Sequence, residues 1–493
     1  MNTPRVLLDR LAALAIEPTG VADDSRQVQP GDLFLAYPGD LADGRRYIAD
    51  ALARGAVAVF WQPGGDFAWN PAWTAANLPV DALRPLAGPL AHAVYGYPSE
   101  GLSLIAITGT NGKTTISQCI ARAYPKPCAI IGTLGAGFPE TLTETGFTTP
   151  EATTLMRYLA DFRGQRAAAC ALEASSIGIE EGRMNGARVD VAVFTNFTRD
   201  HLDYHGSMEA YAAAKEKLFV WPQLRTAVIN IDDELGVRLM RQTTATRVLG
   251  YAIGEARRDF PALVRAEQLE ETPAGQRFTL VLPNGREMVD TALVGRYNVS
   301  NLLAVAAVLH DAGLPAADVA RRLADLTPPP GRMERLGGQG EPLVVVDYAH
   351  TPDALDNALS ALRPATTARG GRLCVLFGCG GDRDKGKRPQ MGAVAEQKAD
   401  RVLVSSDNPR SEDPNAIIAD IVAGMTHAEV QIDRAAAIRQ IILDADARDV
   451  ILLAGKGHES YQEVAGVRTP FSDLEQARAA LALRRAHAPE VSA

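Results

Sequence analysis

The chain has 493 residues, of which 46% are hydrophobic and 22% charged, with a formal net charge of -9. That length exceeds one ordinary hydrophobic core and implies several domains, and the composition is that of a globular chain rather than a disordered or fibrous one. The acidic balance excludes general nucleic-acid binding, which needs a basic footprint, but leaves room for a local basic pocket that takes an anionic small molecule.

The first segment, MNTPRVLLDRLAALAI, is interrupted by Arg5, Asp9 and Arg10. It lacks the unbroken apolar run of a signal peptide or membrane span and reads as an amphipathic helix. The five cysteines, Cys119, Cys128, Cys170, Cys374 and Cys379, are odd in number and none lies in a CxxC pair. Neither a disulfide framework nor a zinc site is expected, so the chain reads as cytoplasmic with no membrane attachment.

Residues 1–93 alternate short apolar runs with turns, as in GDLFLAYPGD and AVAVFWQPGG, and predict a small α/β domain. Residues 94–330 open with LSLIAIT and continue with AAACALE, VDVAVFTN and TAVINID, separated by helical stretches. Apolar strands alternating with helices predict a mainly parallel sheet covered on both faces. Within this region RFTLVLPNGREMV predicts a hairpin turning at Asn284-Gly285. The Pro- and Gly-rich LTPPPGRMERLGG is a linker candidate. Residues 331–493 then carry PLVVVDYA, RLCVLFGCGG, RVLVSSD and DVILLAGKG, each a strand running into a polar or glycine loop. Ligand sites in such sheets lie at those carboxyl ends. The fold class is therefore α/β with three domains, a central phosphate-loop ATPase sheet and a Rossmann-like C-terminal sheet.

Gly109-Thr110-Asn111-Gly112-Lys113-Thr114-Thr115 follows a predicted strand and precedes a helical stretch. Its glycines let backbone N–H groups close around phosphate oxygens, and the helix N-terminus adds a favourable dipole. Lys113 is suited to the β- and γ-phosphates and the Thr114 hydroxyl to Mg²⁺. The general pattern places a glycine where Ile107 stands, so the loop is a shortened variant. An ordinary Gly-rich strand–helix turn is the plainer alternative.

GTNGKTT resembles the ATP loop of the Mur ligases and their relatives, the folylpolyglutamate synthetases. The likeness extends through Asp24-Ser25-Arg26, DGRRYI, TNFTRDHLDYHG, GRYNVSN, GRMER, DYAHTPDAL, GDRDKGKRP, DNPRSEDP and AGKGHE, in that order along the chain. It implies an ATP-dependent amide-forming ligase of peptidoglycan precursor synthesis, a monomer acting on small molecules. Asn298, Arg332 and Asp347 match positions that contact ATP in similar ligases, although Asn298 also reads as a helix cap before LLAVAAVL. Ser25, Asp40, Leu41 and Ala42 match the part that holds a UDP group, and on their own read as surface turns. Thr148, Thr149, Ser175, Glu181 and Arg183 match the set that contacts the muramyl peptide.

Glu173, at the end of AAACALE, is a natural oxygen ligand for Mg²⁺. His201 is a less natural one, and by itself reads as a locally hydrogen-bonded histidine; similar ligases use both as metal ligands. Lys215 shares a helical stripe with Met208, Tyr211, Leu218 and Phe219, behind Ser207 as a plausible cap, while Lys217 falls on the opposite face. A lysine on a buried face favours its neutral amine, which can react with CO₂ to give a carbamate, an acidic oxygen ligand. Snorkelling to solvent is the commoner fate of such a lysine, but the matching residue in these ligases is carbamylated.

In the third domain Arg383, Asp407, Asn408, Pro409, Arg410, Gly455 and Glu459 resemble the pocket for the incoming amino acid. Asp407-Asn408-Pro409 also makes a good turn, and Asp413-Pro414 a helix start. Arg410 offers a planar fork for a carboxylate, and in the family the DNPR form goes with meso-diaminopimelate. Sister ligases adding lysine or D-alanyl-D-alanine are the near alternatives, and a nucleotide-binding protein without ligase chemistry is the distant one. The UDP-type N-terminal domain disfavours folylpolyglutamate synthesis.

Overall fold

The computed structural model describes residues 3–39, 42–254, 263–272 and 275–487. Its described strands form three principal sheets and a small hairpin. The helix Pro4–Ala12, capped by Thr3, buries Leu7 and Leu11 and exposes its charges, as the interrupted apolar pattern implies. Next comes a four-stranded parallel sheet of Gly20–Ala22, Asp32–Ala36, Ala58–Trp61 and Ala76–Pro79.

The central sheet has ten strands. Its parallel core runs in the order Val264–Thr272, Arg247–Ile253, Thr226–Asn230, Val191–Phe194, Ser103–Thr108, Ala169–Glu173, Cys128–Gly132. The five inner strands from Thr226–Asn230 to Cys128–Gly132 are apolar on both faces because helices cover both, with two separate hydrophobic clusters on the two sides, whereas Val264–Thr272 near the edge is largely polar. Antiparallel strands close the edges, Gly135–Gly137 on one side and Gly275–Leu282 with Gly285–Thr291 on the other. The predicted hairpin forms, but Leu282 pairs with Gly285, so its two turn residues are Pro283 and Asn284 rather than Asn284 and Gly285.

The third sheet runs Glu334–Gly337, Leu343–Asp347, Val450–Ala454, Leu373–Phe377, Arg401–Val404, Glu429–Val430, parallel except for its first strand. Asp413 caps the helix Pro414–Val422, as the Asp-Pro pair predicts. The helices Arg434–Leu443 and Asp473–His487 cover one face and the helix Pro352–Arg369 packs on the other. All five cysteines are buried and free.

Contacts across the domains are direct. Thr153 donates to Asp23 at 2.8 Å, Asn111 to Asp353 at 3.1 Å, and Arg199 pairs with Asp384 at 2.9 Å. No helix among the described residues is long and apolar enough to cross a membrane.

Candidate active site

The strand Ser103–Thr108 lies at the middle of the central sheet, between Val191–Phe194 and Ala169–Glu173. The loop that leaves it is therefore flanked by the ends of both neighbours. Gly109 and Gly112 have φ of +149° and +91°, and a Cβ on Gly109 would collide with the Thr195 hydroxyl. The glycines are thus required by backbone conformation and by close approach. Thr195 Oγ1 donates to Asn111 O at 2.6 Å and Asn111 N donates to Asn196 Oδ1 at 2.9 Å, which fixes the loop from the side.

Lys113 begins the helix Lys113–Ala123 and curls over the loop, donating to the carbonyls of Gly109 (2.8 Å) and Thr110 (2.9 Å). Burial pushes its amine below the usual lysine range, opposed by the charges of Glu173 and Asp200. Thr114 donates to Glu173 Oε2 at 3.0 Å, and Thr133 and Ser117 also donate to that carboxylate, at 3.0 and 3.3 Å. Glu173 is 1% exposed and sits at its strand's tip beside the loop, where the sequence pattern puts it.

His201 adopts a φ of +53°, and burial pushes its imidazole down to about 4. Lys215 lies in the helix Met208–Glu216, capped by Ser207, and is only 1% exposed. Its Nζ sits 4.3 Å from the centre of the Tyr211 ring. Burial, reinforced by repulsion from Lys113, holds its amine well below the ordinary value. Lys217, by contrast, is exposed and pairs with Glu180 at 2.6 Å. Snorkelling is thus excluded for Lys215: the stripe that carries it faces inward.

Gly112, Lys113, Thr114, Glu173, His201 and Lys215 line one cavity of about 370 Å³, together with Thr110 and Asn111. Thr148, Thr149, Ser175 and Arg183 line the same cavity. Thr149 Oγ1 donates to Glu173 O at 2.7 Å and accepts from Ser175 N, so this polar rim is tied to the strand that carries Glu173. Glu181 is outside the lining and pairs with Arg183 at 2.6 Å. Ser25, which begins a short turn capped by Asp24, and Ala42 lie in the N-terminal domain outside this cavity. Asp40 and Leu41 fall outside the described residues.

The linker brings Arg332 to the loop: its Nη2 donates to Thr114 Oγ1 at 3.1 Å, and its guanidinium stacks 4.7 Å from the Tyr348 ring centre. A narrower slot of about 80 Å³ joins Thr115, Asn298, Arg332 and Asp347. Asn298 does not cap its helix. The helix Arg296–Asp311 begins two residues earlier after Gly295, whose φ of +91° ends the preceding chain, so Asn298 lies in the first turn. There it donates to Val294 O at 2.8 Å and accepts from Asn301 at 3.1 Å.

A second cavity of about 650 Å³ shares Thr148, Tyr348 and Arg383 with the first and is lined also by Arg410 and Glu459. Asp407, Asn408 and Pro409 follow the strand Arg401–Val404, and Gly455 follows Val450–Ala454. The two loops interlock: Asn408 donates to Glu459 Oε2 at 2.8 Å, and a Cβ on Gly455, at φ +111°, would come within 2.6 Å of Asp407 Oδ2. Burial and the Asp407 charge raise the Glu459 carboxyl above its ordinary range.

Several residues inside the quoted motifs escape assignment from sequence. Asp200 stands within 3.5 to 3.7 Å of His201, His350 and Lys387. Burial opposes its ionisation, yet the hydrogen bond from His350 and the Lys387 and His201 charges hold its carboxyl well below the usual range. Lys456, fully buried, donates to Asn408 Oδ1 at 3.1 Å and pairs with Glu459 at 2.9 Å. Thr133 had no signal beyond following a strand.

A phosphate loop on a parallel sheet, facing an arginine-lined cleft in a second α/β sheet, defines a protein that brings a phosphorylated ligand against a carboxylate-bearing one. The chain belongs to the Mur ligase family. Its residues 17–95 match the Mur ligase family catalytic domain, 107–309 the Mur ligase middle domain, and 331–457 the Mur ligase glutamate ligase domain. It is 50% identical to the UDP-N-acetylmuramoyl-L-alanyl-D-glutamate--2,6-diaminopimelate ligase of Chromobacterium violaceum over 96% of each chain. It is also 50% identical to that of Pseudomonas aeruginosa, over 93% of this chain and 94% of the other. A solved structure of a ligase of that name aligns with a TM-score of 0.65 at 38% identity over 95% of both chains. The MurF ligase of Thermotoga maritima in complex with ADP shares the fold, with a TM-score of 0.65 at 16% identity over 95% of this chain and 98% of the other.

Proposed function

We propose that this chain is an ATP-dependent ligase that joins meso-2,6-diaminopimelate to the D-glutamate of UDP-N-acetylmuramoyl-L-alanyl-D-glutamate, in the cytoplasm and as a monomer. The observation that carries the reading is the shared wall of the two cavities. Arg383, Thr148 and Tyr348 border both, so the cavity at the phosphate loop adjoins the one lined by Arg410.

The phosphate loop and Lys113 take the nucleotide phosphates, with Asn298, Arg332 and Asp347 in the adjoining slot. Thr148, Thr149, Ser175 and Arg183 place the acceptor's side-chain carboxylate, with Glu181 orienting Arg183. Ser25, Asp40, Leu41 and Ala42 take the UDP end. That carboxylate attacks the γ-phosphorus of ATP; the bond to the β-phosphate oxygen breaks, ADP leaves, and an acyl phosphate remains. The diaminopimelate amine then adds to the acyl carbon, loses its proton, and expels phosphate. Lys113 and Arg332 stabilise charge on the transferred group, and the rest of the catalysis is positioning.

The donor set fits Mg²⁺ in part. Thr114 and Glu173 are hard oxygen donors already 3.0 Å apart, but among the described residues no cluster of three or more His, Cys, Asp or Glu is placed for a metal. A carbamate on Lys215 remedies that shortage: its neutral amine adds to CO₂, releases a proton, and presents oxygens beside His201. Thr114, Glu173, His201 and carbamylated Lys215 would then hold Mg²⁺, which supplies positive charge near the phosphoryl group. Mass analysis of the intact native protein tests this: a labile addition of one CO₂ to the wild type, absent from Lys215→Ala, supports it, and a wild-type mass equal to that of the unmodified sequence refutes it.

A further inference from the structure

The two loops of the amino-acid pocket leave strands of the third sheet that are separated by Leu373–Phe377, and something must set the gap between them. Arg434 is 1% exposed and begins the helix Arg434–Leu443. Its Nη1 donates to Ser406 O at 3.3 Å and its Nη2 to Ala454 O at 2.9 Å. Ser406 and Ala454 are the residues immediately before Asp407 and Gly455, where the two pocket loops begin. The remaining edge of the guanidinium is taken by Asp473, at 2.8 Å from Nε and 2.7 Å from Nη2. Asp473, itself fully buried, is the first residue of the helix Asp473–His487.

We infer that the Arg434–Asp473 pair is a positioning device for the amino-acid substrate, holding the Asp407–Arg410 loop and the Gly455–Glu459 loop at the separation that diaminopimelate requires. A planar guanidinium held in a bidentate pair has a fixed orientation, so the two carbonyls it bridges cannot drift apart independently. Ser406 lies beyond the end of its strand, and Ala454, the last residue of its own, pairs with Asp347 on the far side but not with the strand Leu373–Phe377 that separates the two loops, so sheet hydrogen bonds do not set the spacing between these two carbonyls. Asp407, Asn408 and Arg410 follow one anchor; Gly455, Lys456 and Glu459 follow the other. Neither member of the pair lines the cavity, so it acts through these loops and not on the ligand. A buried pair of this kind is poor evidence for stability, since apolar residues of similar volume often replace one without loss. That makes a role in specific geometry testable apart from folding.

The inference rests on the proposed substrate, so wild-type turnover with diaminopimelate is measured first; its absence would refute the proposed function rather than the role of the pair. Three variants follow: Arg434→Lys, Asp473→Asn, and the double variant Arg434→Met with Asp473→Leu, which removes both buried charges. The readout is KM for diaminopimelate against KM for ATP, which does not depend on the fraction of active enzyme. Arg434→Lys and the double variant should raise the first at least about ten-fold and leave the second within about two-fold, while Asp473→Asn, which keeps one acceptor oxygen, should give a smaller rise in the same direction. A double variant that folds with an unchanged KM for diaminopimelate overturns the inference, and so does an equal rise in both constants. Failure of all three to fold, the mild Asp473→Asn included, also overturns it, since the pair would then serve folding alone.

Discussion

Replacing Arg410 with alanine tests the amino-acid assignment through its most selective contact. The Arg410 backbone is fixed independently of its side chain: its N–H donates to Glu463 O at 3.1 Å and its carbonyl accepts from Ala465 at 2.7 Å. Its φ of +52° is as demanding for alanine as for arginine, because both carry a Cβ, so the substitution adds no backbone strain. Nη1 donates to Gly381 O at 2.7 Å, which aims the guanidinium and leaves Nη2 and Nε for a ligand carboxylate. Hydrogen bonds to a charged partner contribute about 1.5–3 kcal/mol each. Arg410 is half-buried, so solvent screening reduces the pair to roughly 2–3 kcal/mol, equivalent to a factor of about 30 to 150. Steady-state assays with diaminopimelate and with lysine should therefore show KM for diaminopimelate rising by about that factor in Arg410→Ala, with KM for ATP nearly unchanged. The preference over lysine should shrink in parallel, since lysine lacks the distal carboxylate, and Arg383 should retain part of it. A variant with the wild-type preference would reduce the DNPR segment to a turn and remove the main support for the substrate.

Lys113→Ala should abolish ATP-dependent product formation, by about 100-fold or more, while its circular dichroism and melting curve stay close to wild type; near-normal ligation would refute the phosphate-loop role. Lys215→Arg should be inactive at any CO₂ concentration, because a fixed cation cannot replace an anionic ligand, and an active arginine variant with unchanged Mg²⁺ dependence would contradict the carbamate. The His458 imidazole, pushed by burial from 6.5 to about 4, binds a proton in the unfolded chain but not in the folded one between those values. Stability should consequently fall as pH is lowered through that window. Urea midpoints for His458→Gln should fall less steeply there than those of wild type; equal slopes would contradict the burial argument.

Much of this was legible because strand ends and glycine loops leave local signatures. The tips at Glu173 and Asp347, the Ser207 and Asp413 caps, and the stripe that buries Lys215 all follow from spacing. Misreadings came where tertiary packing decided the boundary. The helix at Arg296 starts before the cap-like Asn298 because Gly295 takes a positive φ beside Tyr297. The edge strand Glu334–Gly337 falls inside what reads as linker, held by pairing with Leu343–Asp347 rather than by its own pattern. The contacts of Asp200 with His350 and Lys387, and of Arg434 with Ser406 and Ala454, join residues far apart in sequence and have no periodic trace.

The central claim is most directly tested by ADP release from the purified protein with ATP and Mg²⁺, with each remaining substrate added alone and then together. The account predicts sustained ADP release, matched by a new amide product, only when UDP-N-acetylmuramoyl-L-alanyl-D-glutamate and meso-diaminopimelate are both present, with lysine and D-alanyl-D-alanine giving little. Equal turnover whether or not an amine is supplied, or a clear preference for another amino acid, would contradict it.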